Sequence, residues 1–236
     1  STTANISWTA ASPAPSNGYQ YAVTTSATPP GSGTAFAGTS TSVSGLTANT
    51  AYYVHVRSDC GGTFSPWATS AATFTTPCNA ITSLISESFN TIGSIPPACW
   101  STAIQNGTVN WTFASADGDA QFTPHSGAAM PVKNWTSAAN SDALLISPNL
   151  DYSGTYPSTT LRVNVWIYRN ATNGLSTDRV AFYANTTNNL SGSPTTLLDI
   201  PYAASAAPVV GSSGWYNYTA VIPISYNAAP FYVIAK

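Results

Sequence analysis

Residues 42–57 read SVSGLTANTAYYVHVR, and this stretch decides the fold of the first part of the chain. Its second half places Tyr52, Val54 and Val56 at every other position, and a period of two puts alternate side chains on one face of a strand. Similar alternation recurs along the chain between clusters of Gly, Pro, Asn and Ser, whereas the apolar spacing of about 3.6 that is typical of helices is absent from the sequence. The sequence therefore predicts an all-β protein.

Charged residues are scarce. Only 6% of the 236 residues are charged, whereas 43% are hydrophobic, so the polar surface must consist of Ser, Thr, Asn and Gly. The formal net charge of -2 supplies neither the basic stripe that nucleic acid requires nor a polybasic membrane patch. No apolar run approaches the length of a membrane helix. We therefore predict neither a nucleic acid partner nor direct membrane insertion. The chain is long enough for two all-β domains.

The opening stretch resembles the tyrosine corner of fibronectin type III domains. In that family the corner consists of a Leu, a Thr four residues later and a Tyr two residues beyond, which stand here as Leu46, Thr50 and Tyr52. The position of Trp8 also fits the family spacing. The resemblance implies a fibronectin type III-like sandwich over residues 1–78. Because almost nothing precedes Trp8, we expect the first strand of that fold to be missing.

A second set of motifs follows in the order of another family. The motifs are ESFN at 87–90, PPACW at 96–100, NWT at 110–112, HSGAAM at 125–130, DALLISP at 142–148 and LRVNVWI at 161–167. Their order is similar to that of the MAM and cleaved-adhesin group of jelly-roll domains, which opens with an acidic-x-Phe strand and a Cys-Trp pair. The resemblance implies a jelly-roll sandwich over residues 84–236 whose closing strand is missing. The expected architecture is thus two tandem β-sandwiches.

Tandem modules of this kind resemble parts of the large secreted proteins of Bacteroidetes-type bacteria. In those proteins they occur in adhesins and as accessory modules of proteases and glycosidases. The resemblance implies a secreted or cell-surface fragment of a larger protein, whose partner is an extracellular glycan or protein surface. Two functions stay open, namely adhesion and display, or targeting of an attached hydrolase to a polysaccharide. A further interpretation makes the fragment a cargo of a type IX secretion machinery.

Three cysteines allow one intramolecular bridge. If residues 51–59 and 69–77 form a hairpin, Cys60 lies at its loop end and Cys78 at the opposite end, too far apart for a bridge. In MAM domains the first cysteine pair flanks the opening strand, as Cys78 and Cys99 do here, so the resemblance implies a Cys78–Cys99 bridge. Such a bridge indicates an oxidising compartment. The alternative is three reduced cysteines in a cytosolic protein.

The sequence predicts no catalytic site. Acid-base or nucleophilic catalysis needs a titratable group beside a nucleophile, and the chain has only two histidines. We expect His55 on the outward face of its strand beside Arg57, and His125 in a Pro-His-Ser-Gly turn. The sequence shows neither zinc-ligand spacing nor a Gly-rich phosphate loop. We therefore interpret the chain as a non-enzyme.

Structural calcium is the one cofactor that the sequence suggests. The resemblance to cleaved-adhesin domains implies a calcium ion bound by the acidic residue of the opening strand, which is matched here by Glu87. Asp117 and Asp119 place two carboxylates on an Asp-Gly-Asp loop and add hard oxygen ligands. Asp-Gly is also a common turn signal, so the alternative is an ordinary surface turn.

The strand expected over 161–168 carries a candidate carbohydrate surface. Its alternation assigns the aliphatic side chains to the core and leaves four others on the opposite face, namely Arg162, Asn164, Trp166 and Tyr168. Aromatic rings beside hydrogen-bonding groups match the apolar face and the hydroxyl groups of a sugar. The alternative is that a loop or the neighbouring domain covers Trp166 and Tyr168.

Overall fold

The computed structural model describes residues 3–68, 72–116, 122–133, 141–172 and 177–236. Strands and connecting loops make up almost all of these residues, with one short 3-10 helix over Ile224–Ala228 in the described part. The prediction of an all-β sandwich fold is therefore confirmed. By compactness the chain divides into two units, Ser1–Asn79 and Ala80–Lys236.

In the residues that the structure describes, the first unit contains six antiparallel strands. They are β1 (Ala4–Ser7), β2 (Tyr19–Thr24), β3 (Thr34–Phe36), β4 (Ser40–Val43), β5 (Ala51–Ser58) and β6 (Ala72–Thr75). Strands β1 and β4 form one sheet, and the other has the order β3-β2-β5-β6. Because β2 and β5 pair in the middle of the larger sheet, their alternating aromatic and β-branched residues fix its register.

Aromatic packing and one side-chain hydrogen bond organise this unit. Trp8 contacts the rings of Tyr19, Tyr21 and Phe36 at centroid distances of 5.8, 5.9 and 6.0 Å. The buried Tyr52 hydroxyl accepts a hydrogen bond of 2.9 Å from the backbone N–H of Thr47. This bond ties β5 to the chain that precedes it, in the manner expected of a tyrosine corner. The assignment to the fibronectin type III family stays a prediction.

The expected outward position of His55 is wrong, because this side chain is only 1% exposed. Its ring lies 6.2 Å from that of Trp67, and its Nε2 is 3.1 Å from the carbonyl oxygen of Ser26. Arg57, two residues along β5, packs its guanidinium 4.3 Å from the ring centroids of both Phe64 and Trp67. The loops that carry these rings cover a sheet face that alternation alone assigns to solvent.

Within its described ranges, the second unit contains nine strands and the 3-10 helix. They are β7 (Ser101–Asn106), β8 (Thr112–Ala114), β9 (Met130–Val132), β10 (Asp142–Ile146), β11 (Arg162–Arg169), β12 (Arg179–Asn185), β13 (Thr195–Pro201), β14 (Gly214–Val221) and β15 (Tyr232–Ala235). One antiparallel sheet has the order β13-β12-β15-β10-β7, and two separate pairs, β11-β14 and β8-β9, accompany it. Residues 143–146 of β10 are all buried, because this strand lies inside the five-stranded sheet.

The core of this unit is aromatic and aliphatic. Phe231 and Ile234 are fully buried, and Tyr152 packs edge-on against Phe231 at 5.8 Å. Burial raises the pKa of the Tyr152 hydroxyl above its usual range, and the nearby Tyr156 raises it further. The neutral phenol is therefore the form that the folded core favours.

The strand expected at residues 87–90 is not formed. Phe89 has a positive φ of 52°, which is incompatible with an extended strand. The Glu87 carboxylate accepts a hydrogen bond of 2.7 Å from the Phe89 backbone N–H. Phe89 still reaches the core, where its ring lies 5.0 Å from Trp100 and 5.5 Å from Phe113. The motif thus positions an aromatic anchor without adding a strand.

Candidate functional site

The antiparallel pair of β11 and β14 forms a long ribbon. Its register runs from Arg162 opposite Val221 to Arg169 opposite Gly214. Residues directly opposite each other share a face of the pair. One face, which we call the ribbon face, is formed by Arg162, Asn164, Trp166 and Tyr168 of β11 and by Val221, Thr219, Asn217 and Trp215 of β14. Only Arg162 among these eight side chains is charged.

One half of the ribbon face is polar and open. Thr219 donates a hydrogen bond of 2.6 Å to the Asn164 side-chain oxygen, and both residues are exposed. Asn217 lies opposite Trp166 and extends its amide nitrogen to 3.4 Å from the Val165 carbonyl oxygen. Amide and hydroxyl groups therefore stand beside an indole that is 49% exposed. This set can donate and accept hydrogen bonds next to an apolar surface.

The other half of the ribbon face is covered. His125 stacks on Trp166 with ring centroids 3.8 Å apart, and Phe122 stacks on Tyr168 at the same distance. Trp215 meets Tyr168 edge-on at 5.7 Å, and its indole N–H donates to the Thr123 carbonyl oxygen at 3.0 Å. Residues 122–125, which we call the covering segment, thus occupy one face of each predicted sugar-binding ring. A ligand of Trp166 must use the remaining exposed part of that indole.

A glycine fixes the chain just beyond the covering segment. Gly127 has φ +77°, and a Cβ at this position would lie 2.0 Å from the Asn90 side-chain oxygen. The same oxygen accepts a hydrogen bond of 3.1 Å from the Ala128 backbone N–H. Only glycine combines this backbone conformation with so close an approach. The chain that follows His125 is therefore held against Asn90.

A buried arginine supports the ribbon from behind. Arg169 is fully buried, and its guanidinium donates hydrogen bonds to the Tyr218 hydroxyl at 2.8 Å and to the carbonyl oxygens of Pro208 and Ala206 at 3.0 and 2.9 Å. It also donates to the carbonyl oxygen of Ala203. The planar fork of an arginine can satisfy several diverging acceptors at once. Arg169 therefore fixes the 203–208 loop against the inner face of the ribbon.

Only one of the three predicted calcium ligands lies within the described residues. Glu87 is exposed and bonds to the Phe89 backbone, whereas Asp117 and Asp119 lie outside the described residues. In the described ranges no three His, Cys, Asp or Glu side chains converge in a way that could hold a metal ion. Glu87 fits one carboxylate ligand of such a site, and calcium binding stays a prediction.

The cysteines differ in state. Cys78 and Cys99 are both disulfide-bonded, and Cys60 is a free, exposed thiol. These are the three cysteines of the chain, so the bridge joins the pair that the MAM resemblance implies. The described residues include no helix long and apolar enough to cross a membrane.

Sequence reasoning left open that a loop covers Trp166 and Tyr168, but it did not identify the covering segment as that loop. Phe122 and His125 join the ribbon face across a long sequence separation, and their local sequence signals only a turn. Trp215 carries a weak signal, because it opens an alternating stretch that places Asn217 and Thr219 on its own face. The aromatic cluster therefore becomes visible only once the chain is folded.

Neither a protein family model nor a curated protein sequence matches this chain. Among solved structures, the chain is similar to the K1 cleaved adhesin domain of Lys-gingipain from Porphyromonas gingivalis W83. The two are 22% identical with a TM-score of 0.46, and the match covers 64% of this chain and 86% of that chain.

Proposed function

We propose that the chain is a non-catalytic adhesion and display module of a secreted or cell-surface protein. The observation that carries this proposal is the ribbon face, where Asn164, Thr219 and Asn217 stand beside the half-exposed Trp166. An indole face with amide and hydroxyl neighbours complements a neutral polysaccharide, whose sugar rings have apolar faces rimmed by hydroxyls. The Cys78–Cys99 bridge supports an oxidising, extracellular location.

The rigidity of the ribbon supports display. Arg169 and its acceptors hold one side of the strand pair, and the stacked rings of the covering segment hold the other. A preformed face loses little conformational entropy when it binds a ligand. The surface is therefore suited to repeated weak contacts with a polymer, as adhesion requires.

The same face supports a second function, which is the targeting of an attached hydrolase to polysaccharide. In both cases the chain itself binds and another part of the protein determines the outcome. An adhesin uses the contact to hold a cell or a surface, whereas a targeting module raises the concentration of a catalytic domain near its substrate. Partners that recognise the chain as secretion cargo are compatible with either function.

Binding of the whole chain to immobilised neutral polysaccharides tests the proposal. We expect retention that weakens about tenfold or more in Trp166→Ala, since stacking of a sugar on an indole supplies much of the affinity. Val209→Ala, an exposed apolar residue outside the ribbon face, is the matched control and should bind as wild type does. Equal retention by both variants, or hydrolysis of any polysaccharide by the purified chain, contradicts the proposal.

We further propose that calcium stabilises the second unit through Glu87. Carboxylate oxygens are the ligands that calcium prefers, and Glu87 already has a fixed backbone contact. We expect millimolar calcium to raise the melting temperature of the wild type and to leave that of Glu87→Gln unchanged. Glu87→Asp is the control that keeps the charge. A wild-type melting temperature that does not respond to calcium or to EDTA rejects this role.

A further inference from the structure

A small polar cavity, open to solvent, lies beside the connection between β12 and β13. Its volume is about 370 Å³, which falls within the range of small-ligand pockets. No residue that lines the cavity is charged. Hydroxyl and amide side chains form most of its walls, among them those of Asn185, Thr187, Ser191, Thr195 and Tyr226. It shares no residue with the ribbon face. A cavity with this lining is matched to a neutral ligand that is rich in polar groups.

The walls of the cavity are held in place by internal hydrogen bonds. The buried Asn185 amide nitrogen lies 3.0 Å from the Thr187 hydroxyl, 2.7 Å from the Asn189 carbonyl oxygen and 2.9 Å from the Ser191 carbonyl oxygen. The Asn189 side-chain oxygen accepts from the Thr187 hydroxyl at 3.1 Å and from the Ser191 backbone N–H at 2.8 Å. The loop is thus preformed, which lowers the entropic cost of binding.

These bonds fix the direction in which each hydroxyl group donates. Thr187 and Ser191 both donate their only hydroxyl proton to the Asn189 side-chain oxygen. Tyr226 donates to the Ala184 carbonyl oxygen at 2.8 Å, so in its 3.1 Å contact with Thr195 the threonine must be the donor. The hydroxyl protons of these four residues are therefore engaged within the protein, and their oxygens can bind a ligand only as acceptors.

We propose that this cavity binds a single neutral sugar residue, with sugar hydroxyls donating to the oxygens of Thr187, Ser191 and Thr195. A cationic ligand is disfavoured because the walls carry no carboxylate to pair with it, and an anion is disfavoured because the walls carry no Lys, Arg or His side chain to pair with it. A polyol supplies several donors without charge. This site differs from the ribbon face in what it recognises. It would bind one sugar residue at the end or at a branch of a polysaccharide, whereas the ribbon face would bind the flat side of the polymer.

Heteronuclear NMR of the whole labelled chain tests the proposal, with methyl α-mannoside, methyl β-galactoside and N-acetylglucosamine as separate probes. We expect at least one of them to shift the backbone amide signals of Thr187, Ser191 and Ser193 in a saturable manner. Ser193→Trp fills the mouth of the cavity and should weaken this binding about tenfold or more. Ser205→Trp places the same side chain at an exposed serine outside the lining, and it should bind as wild type does.

A second pair of variants tests the acceptor role. Thr187→Val removes the accepting oxygen and should weaken binding about fivefold, whereas Thr187→Ser keeps that oxygen and should stay within about twofold of wild type. Shifts that persist in Trp166→Ala separate this site from the ribbon face, because that variant impairs only polysaccharide retention. If none of the three sugars shifts these signals, or if glucosamine or glucuronic acid binds more tightly than they do, the proposal is wrong.

Discussion

His125 lies flat on Trp166, with ring centroids 3.8 Å apart and ring planes inclined by 17°. The indole is nevertheless 49% exposed, so part of it stays open beside Asn217 while the imidazole covers one of its faces. The covering side chain comes from a loop and not from the sheet. The contact of His125 with Trp166 therefore limits the area of the indole that a polymer can reach, and one substitution can remove that contact.

Removal of His125 should open the second face of the indole. We expect His125→Ala to increase quenching of tryptophan fluorescence by acrylamide and to raise affinity for the polysaccharide that the ribbon face retains by about twofold to tenfold, the range that one aromatic stack supplies. His125→Phe keeps a ring on the indole and is the matched control. Weaker binding in His125→Ala would show that the imidazole is itself a ligand contact.

Arg169 offers a test of the support behind the ribbon. Substitution by Met leaves the carbonyl oxygens of Pro208, Ala203 and Ala206 without their donor, and the cost should be about 3 kcal/mol of unfolding free energy. Arg169→Lys should restore only part of this, because an ammonium group cannot reproduce the planar fork. Urea unfolding measures both variants.

Arg162→Met is the control for this comparison, since Arg162 lies on the same strand with an exposed side chain. Its effect on the free energy of unfolding should stay below about 0.5 kcal/mol. Equal destabilisation by the two methionine variants would mean that strand propensity, and not the buried network, accounts for the loss.

The regular parts of this fold were predictable because alternation is a local signal. Val163, Val165 and Ile167 face inward on β11, and the four residues between and beside them face outward, as the period of two requires. The same reasoning places Tyr52, Val54 and Val56 on one side of β5. These patterns depend on near neighbours in the sequence, so no knowledge of tertiary contacts is needed to find them.

The errors arose where distant segments meet. Alternation puts His55 on the outer face of β5, but Trp67 and the turn at Ser26 cover that face. The covering segment also reaches Trp166 and Tyr168 from a distant part of the chain. The sequence left such a cover open as an alternative but could not identify it, because alternation reports only on neighbours along one strand. At residues 87–90 the Glu87 side chain competes with strand pairing by bonding to the backbone two residues on, which a family motif does not reveal.

The Tyr52 hydroxyl should contribute to the stability of the first unit. Tyr52→Phe removes the acceptor of the Thr47 backbone N–H and keeps the ring that stacks on Phe74 at 5.7 Å. We expect a loss of about 1 to 2 kcal/mol in the free energy of unfolding, because a partly buried donor loses its partner. Tyr53→Phe, on the other side of the same strand, is the control, and a similar loss in both variants would contradict a specific role of the corner.

The disulfide should stabilise the chain through its effect on the unfolded state. A bridge between Cys78 and Cys99 closes a loop of about twenty residues, for which loop-closure entropy gives about 3 kcal/mol. We expect the double variant Cys78→Ser, Cys99→Ser to lose about 2 to 4 kcal/mol of unfolding free energy, and dithiothreitol to bring the wild type to the same value. Cys60→Ser is the control, since that thiol is exposed and free, and it should leave both the free energy of unfolding and its response to dithiothreitol unchanged. If dithiothreitol destabilises the double variant as much as the wild type, the effect of dithiothreitol on stability does not come from a bridge between Cys78 and Cys99.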